Sequence, residues 1–291
     1  MLMKRLQNGP PLLLDGATGT ELHRRGINLS HPSWTAGVIL DDPTVLREIH
    51  RDYVQTGADI LTANTFRTHH RNVATLGRKV SARDLTCRAV EIAREAAGQT
   101  HVMIAGSVAP LADCYSPHLT PGVSELVNEH GMMVENLVTA GVDLILIETQ
   151  VTIQEAVIAA RAAGRSGLPF FISFACLRNG SLLSGESLLD AWSAVAPLAP
   201  EAVLVNCLPA EEVLPTLRPL LEQEVPYPLG AYANTGRLMP DRVWESTSGV
   251  LPAVYAGFAE RWKESGLRVI GGCCGTTPDH ISAIHTMLYA S

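Results

Sequence analysis

Eight times along this chain a short apolar run is followed by a longer segment, and in most of these the apolar residues recur at helical spacing. No other feature of the sequence restricts the fold as much. The apolar runs are 11–15, 58–64, 101–107, 142–148, 169–175, 202–207, 228–233 and 267–273; clear helical periodicity marks 44–56, 82–97, 124–140, 153–166 and 250–265. Gly57, Gly141 and Gly266 stand where helices should close before the next strand. A run such as Val142-Asp143-Leu144-Ile145-Leu146-Ile147 suits a parallel sheet covered on both faces. Strand-then-helix units in series place the chain in the α/β class, as a single (β/α)8 TIM barrel, with a doubly wound open sheet as the alternative. One domain over residues 1–291 is the expectation, because such barrels commonly run to about 250 residues.

The composition supports a packed enzyme more than a fibrous or disordered chain, with 46% hydrophobic and 18% charged residues. The formal charge of -7 carries no basic run, which argues against nucleic acid as a partner. The opening residues lack an apolar signal-peptide core, and no later stretch has membrane-spanning length; a cytoplasmic, membrane-free protein is expected, with homo-oligomerisation left open. In a reducing compartment the six cysteines are thiols or metal ligands before they are disulfides.

Active sites of α/β barrels lie at the C-terminal ends of the strands. Here those ends read Asp15-Gly16-Ala17-Thr18-Gly19-Thr20, Asn64-Thr65-Phe66, Gly106-Ser107, Glu148-Thr149, Asn206-Cys207, Asn234-Thr235-Gly236 and Gly271-Gly272-Cys273-Cys274-Gly275. Strands six and eight are separated by one strand, so Cys207 can approach Cys273 and Cys274 across the barrel mouth. Three thiolates there would suit Zn2+ and leave a fourth coordination position open. Spacing alone leaves two other readings standing: buried packing cysteines and a vicinal disulfide between Cys273 and Cys274. Cys87, Cys114 and Cys176 stand alone and read as packing. His69 and His70 read as solvated loop residues, Trp34 as packing with a donor-pocket role as the alternative, and 238–249 as an irregular lid or contact loop.

Taken together, Asp15-Gly16-Ala17-Thr18-Gly19-Thr20, Asn206-Cys207 and Gly272-Cys273-Cys274-Gly275-Thr276-Thr277-Pro278 resemble the homocysteine S-methyltransferase family over nearly the whole chain. The resemblance implies a zinc ion on Cys207, Cys273 and Cys274, with homocysteine sulfur as a further ligand and methionine as product. It also implies a small activated methyl donor, S-methylmethionine or S-adenosylmethionine ahead of betaine, and leaves room for another thiol or selenol acceptor. Glu148 and Asp15 are assigned to the substrate ammonium, in agreement with the family. Backbone N–H groups around Gly16 and Ser107, with Thr65, are assigned to the carboxylate. Asn234 is expected to orient the metal site or fill its fourth position, which makes Glu148, Asp15 and Asn234 the expected catalytic set. Two rival classes are a non-catalytic cysteine-based zinc or redox sensor and a metal-hydrolase barrel. The first needs no ammonium-binding carboxylates, and the second calls for His and Asp ligands.

Overall fold

The computed structural model describes residues 2–239 and 244–289. Eight parallel strands form one sheet: β1 (Leu12–Leu13), β2 (Ile60–Ala63), β3 (Met103–Val108), β4 (Leu144–Gln150), β5 (Phe170–Ala175), β6 (Ala202–Pro209), β7 (Leu229–Asn234) and, after a hairpin of β8 (Gly236–Leu238) and β9 (Trp244–Ser246), β10 (Val269–Gly272). The sheet order runs from β1 through β10, β7, β6, β5, β4 and β3 to β2. A parallel bridge between Leu14 and Ile60 joins its two edges, with Asp59 N donating to Leu13 O at 2.8 Å and Asp15 N to Ile60 O at 3.0 Å. The expected (β/α)8 barrel is therefore present and closed.

Twelve helices complete the described chain: α1 (Leu2–Asn8), α2 (Gly19–Arg24), α3 (Val38–Asp41), α4 (Pro43–Gln55), α5 (His70–Val73), α6 (Ala82–Ala97), α7 (Val123–Ala140), α8 (Ile153–Arg165), α9 (Leu188–Val195), α10 (Val213–Glu222), α11 (Pro252–Glu264) and α12 (Pro278–Tyr289). Local chemistry sets their starts. The Ser81 hydroxyl accepts from Asp84 N at the head of α6, and Asp42 accepts from Val45 N at the head of α4, where Pro43 needs no N–H partner. Along α6, Leu85, Ala89, Ile92 and Ala96 are all buried, the spacing of one helical face. Neither α1 nor the β8–β9 pair was expected. Leu6 of α1 is buried with Leu12, Leu144 and Val269 at the N-terminal end of the barrel, and Arg268 Nε donates to Leu6 O at 2.8 Å. Within the segment 238–249, expected as an irregular lid or contact loop, Leu238 ends β8 and 244–246 form β9, while 240–243 lie outside the described residues. No helix among the described residues is long and apolar enough to cross a membrane.

Strand alternation stratifies the barrel interior. Leu12, Leu14, Ile60, Ala105, Leu144, Leu146, Phe171, Ala202, Leu204 and Val269 form its apolar layers. Two residues further along the same inward register stand Thr62, Ser107, Glu148, Ser173 and Asn206, and beyond Val269 and Gly271 stands Cys273, with Tyr232 closing the apolar cluster. The lower barrel is thus packed hydrocarbon, and its C-terminal end is a polar floor.

Candidate active site

Above that floor opens a cavity of about 810 Å³ whose wall includes Asp15, Gly16, Ser107, Glu148, Cys207, Cys273 and Cys274. The three thiols converge: their sulfurs lie within 4.8 Å of one another, with Cys207 Sγ 3.1 Å from Cys273 Sγ. Among the described residues no other three His, Cys, Asp or Glu side chains meet in this way.

Backbone irregularity brings them there. Cys207 follows inward-facing Asn206, so a regular strand would turn its side chain outward. Instead the β6–β7 register shifts between Asn206 and Pro209, and Cys207 adopts φ 57°. A matching shift in β4, between Ile147 and Gln150, accompanies φ 60° at Thr149. Non-glycine residues at positive φ cost of order 1–3 kcal/mol and persist where their surroundings over-determine them. Asn206 does that here. Its Oδ1 accepts from Thr149 N at 3.1 Å and Ser173 Oγ at 2.7 Å, while Nδ2 donates to Thr149 Oγ1 at 2.8 Å and to Cys207 Sγ at 3.4 Å.

Cys273 and Cys274 lie just past the end of β10. Asn234 Oδ1 accepts from Cys274 N at 3.0 Å, and Thr235 N donates to Cys274 O at 3.0 Å. Asn234 is buried and is not among the cavity-lining residues, and its Oδ1 holds the backbone N–H of Cys274. Gly275 has φ 82°, and a Cβ on it would fall 2.0 Å from Thr235 Oγ1, so the turn after the cysteine pair admits only glycine.

Two carboxylates occupy the same floor. Asp15 is 3% exposed; its oxygens accept from Thr62 N at 2.8 Å and Thr62 Oγ1 at 2.9 Å. Burial pushes its pKa up to about 8, against those hydrogen bonds, with the Glu148 charge adding to the rise. Glu148, 8% exposed, accepts from Ser107 Oγ on one oxygen and from Tyr232 Oη at 3.3 Å on the other. Burial raises its pKa to about 7, opposed by the Ser107 hydroxyl and reinforced by Cys273. No cation of the protein forms an ion pair with either carboxylate among the described residues. Each is a buried acid whose ionised form awaits a positive partner.

Several expectations need correction. Thr65 is fully buried behind the wall, where its hydroxyl donates to Ser107 O at 2.9 Å, so its side chain does not face the cavity. The Ser107 hydroxyl donates to Glu148, whereas the expectation concerned the backbone N–H groups around Ser107. Cys114 packs with Val151 and Ala175, as expected, and also borders the cavity, its thiol pushed up to about 12 by burial. His69 is buried, not solvated; neither ring nitrogen has a hydrogen-bond partner among the described residues, and burial pulls its pKa down to about 3. His70 is exposed, as expected. Trp34 packs edge-on against Phe66, ring centroids 5.6 Å apart, and both line the cavity. Asn206, Tyr232, Ser173 and Arg67 were given no role from sequence. Inward strand parity would have pointed to the first three.

The chain is similar to known proteins over nearly its whole length. A family model described as Homocysteine S-methyltransferase matches residues 12–288. The homocysteine S-methyltransferase of Escherichia coli strain K12 is 31% identical, over 94% of this chain and 94% of that protein. A selenocysteine methyltransferase of Astragalus bisulcatus is 30% identical, over 97% of this chain and 94% of its own length. The crystal structure of the Escherichia coli homocysteine methyltransferase in its metallated form superposes with a TM-score of 0.83 at 29% identity, covering 97% of each chain.

Proposed function

The chain belongs to the homocysteine S-methyltransferase family, and from that premise we propose that it transfers a methyl group from a small activated donor to homocysteine, forming methionine, with a zinc ion on Cys207, Cys273 and Cys274. The observation that carries the reading is the convergence of three thiols on one cavity floor with two buried, cation-free carboxylates.

The thiol set fits the metal. Zinc–sulfur bonds of about 2.3 Å in tetrahedral geometry separate sulfurs by roughly 3.8 Å, within the span these side chains already occupy. An all-sulfur donor set selects a soft cation and disfavours the hydrolase alternative. Zinc held there supplies a Lewis acid that keeps an acceptor sulfur deprotonated at neutral pH, where a free thiol of pKa about 8.5 is mostly protonated.

The chain's own residues do the rest. Glu148, with both oxygens held by Ser107 and Tyr232, presents its charge to the homocysteine ammonium, and Asp15 flanks it. The N–H groups around Gly16 receive the carboxylate; a Cβ on Gly16 would sit 2.8 Å from Tyr53 Oη, so the backbone is packed hard from behind. Anchored at both ends, the acceptor places its sulfur beside the cysteines and exposes it to the cavity opening. A donor entering from that side meets the sulfur in line, and much of the acceleration comes from positioning. S-Methylmethionine and S-adenosylmethionine are the favoured donors. The 30% identical selenocysteine methyltransferase supports a second reading in which a selenol is the acceptor.

Zinc-loaded protein given homocysteine and, in separate reactions, S-methylmethionine, S-adenosylmethionine and betaine should form methionine from at least one donor. Metal-replete protein that forms none, while methylating selenocysteine, would shift the assignment to the selenol.

A further inference from the structure

The cavity is electrically lopsided. Its floor carries Asp15, Glu148 and three thiols, all anionic or able to become so. Among the described lining residues the only Lys or Arg is Arg67, in the loop after β2. Strand residues make the floor, whereas loop residues, Arg67 and Asp113 among them, make the upper wall.

At hydrogen-bond distance Arg67 is held by neutral groups, with Asp113 and Glu155 acting on its charge from farther off. Its Nη1 donates to Pro110 O at 3.3 Å and Ala112 O at 3.1 Å, and its guanidinium rests 5.0 Å from the centroid of the Phe66 ring. None of the ion pairs of the described residues includes it. Two carbonyls and a ring face orient the fork without a direct carboxylate contact. A cation held in this way inside a cavity is a ready site for a carboxylate. Beside it, Trp34 and Phe66 offer aromatic surface suited to an onium group.

We propose that Arg67 binds the carboxylate of the methyl donor, so that the enzyme selects onium compounds carrying a carboxylate on the same short chain over bare sulfonium or ammonium ions. The inference rests on the acceptor site proposed above and adds the donor half. A donor of this class is a dipole that matches the cavity: its onium end is drawn toward the anionic floor and the acceptor sulfur, and its carboxylate stays at Arg67. Transfer breaks the donor's onium–methyl bond and forms the sulfur–methyl bond. The electron pair of the broken bond stays on the donor heteroatom, which leaves as a neutral thioether or amine still bearing its carboxylate.

The test compares donors with the zinc-loaded enzyme: S-methylmethionine and glycine betaine, which carry the carboxylate, against trimethylsulfonium, which does not. The readout is the ratio of kcat/KM for a carboxylate donor to that for trimethylsulfonium, in wild type, Arg67→Met and Arg67→Lys. Loss of one charge-assisted pair should lower the ratio about 10- to 100-fold in Arg67→Met, with partial recovery in Arg67→Lys. The two carboxylate donors identify the source, since the true one shows the larger fall. A merely structural role for Arg67 would depress all donors alike, and an unchanged ratio overturns the proposal. Homocysteine titrations keep the two readings apart. If wild type neither binds homocysteine nor methylates it from any donor, the acceptor site fails and this inference falls with it; normal homocysteine binding with an unchanged donor ratio sinks the donor subsite alone.

Discussion

Replacing Glu148 by Gln keeps the shape of the floor and removes one buried charge. Glu148 holds its proton up to about pH 7, because burial outweighs the hydrogen bonds from Ser107 and Tyr232. To pair with an ammonium it must ionise, so below pH 7 each further pH unit weakens homocysteine binding by about tenfold through this group alone. Gln has no such dependence. Above pH 7 the variant should bind homocysteine about 10- to 100-fold more weakly, the loss of one charge-assisted hydrogen bond of about 1.5–3 kcal/mol. Below pH 7 its log Kd should vary with pH less steeply than that of wild type, by about one per unit. Stability moves the other way. A carboxyl whose folded pKa is raised contributes stability that is fully present below its usual 4.5 and is lost as pH rises through about 7. Substrate-free Glu148→Gln should therefore gain on wild type between those limits, by up to about 3 kcal/mol, less whatever a Gln amide loses in facing two hydroxyl donors. Calorimetric titration with homocysteine and urea unfolding at pH 5 and pH 8 measure the two effects, with zinc content checked in both proteins. Equal Kd values at pH 8, with parallel pH profiles, would refute the ammonium role.

Single Cys→Ser changes at Cys207, Cys273 and Cys274 should each reduce zinc from about one per chain toward none, measured by metal analysis after dialysis, since a hydroxyl is a poor ligand beside thiolates; full occupancy and activity in all three would displace the metal from this site. Asn206→Ala strands the Thr149 N–H and the hydroxyls of Thr149 and Ser173, and should cost about 2–4 kcal/mol in chemical denaturation, together with weaker zinc retention. Calorimetry at pH 7 in buffers of different ionisation enthalpy should show close to one proton released per homocysteine bound by Glu148→Gln, from the thiol, and a larger release in wild type as Glu148 also ionises. No release in either protein would mean that the thiol binds protonated, away from the metal.

The barrel is legible because periodicity is a property of segments, and the helices at 82–97 and 153–165 fall within a residue of where the pattern places them. The floor of the site is only half legible, and parity explains why. Counting by twos from the apolar layers brings Ser107, Glu148, Ser173, Asn206, Tyr232 and Cys273 inward, so residues between strands that look unrelated form one hydrogen-bonded surface. The same count puts Cys207 and Cys274 outside, since each adjoins an inward residue. A regular barrel could therefore present Asn206 or Cys207 to the cavity, and Cys273 or Cys274, but not both members of either pair. Converging three sulfurs requires leaving the regular strand: β6 shifts register at Cys207 with positive φ, and β10 ends at Gly272 so that both following cysteines lie on a turn that Gly275 closes. Residue types announce the chemistry, while the conformation that assembles it is held by contacts distant in sequence, such as Asn206 with Thr149 and Asn234 with Cys274. Arg67 escaped notice for a related reason. A lone arginine in a loop carries no periodic signal, and its place in the cavity wall appears only when the strands and loops around it are assembled.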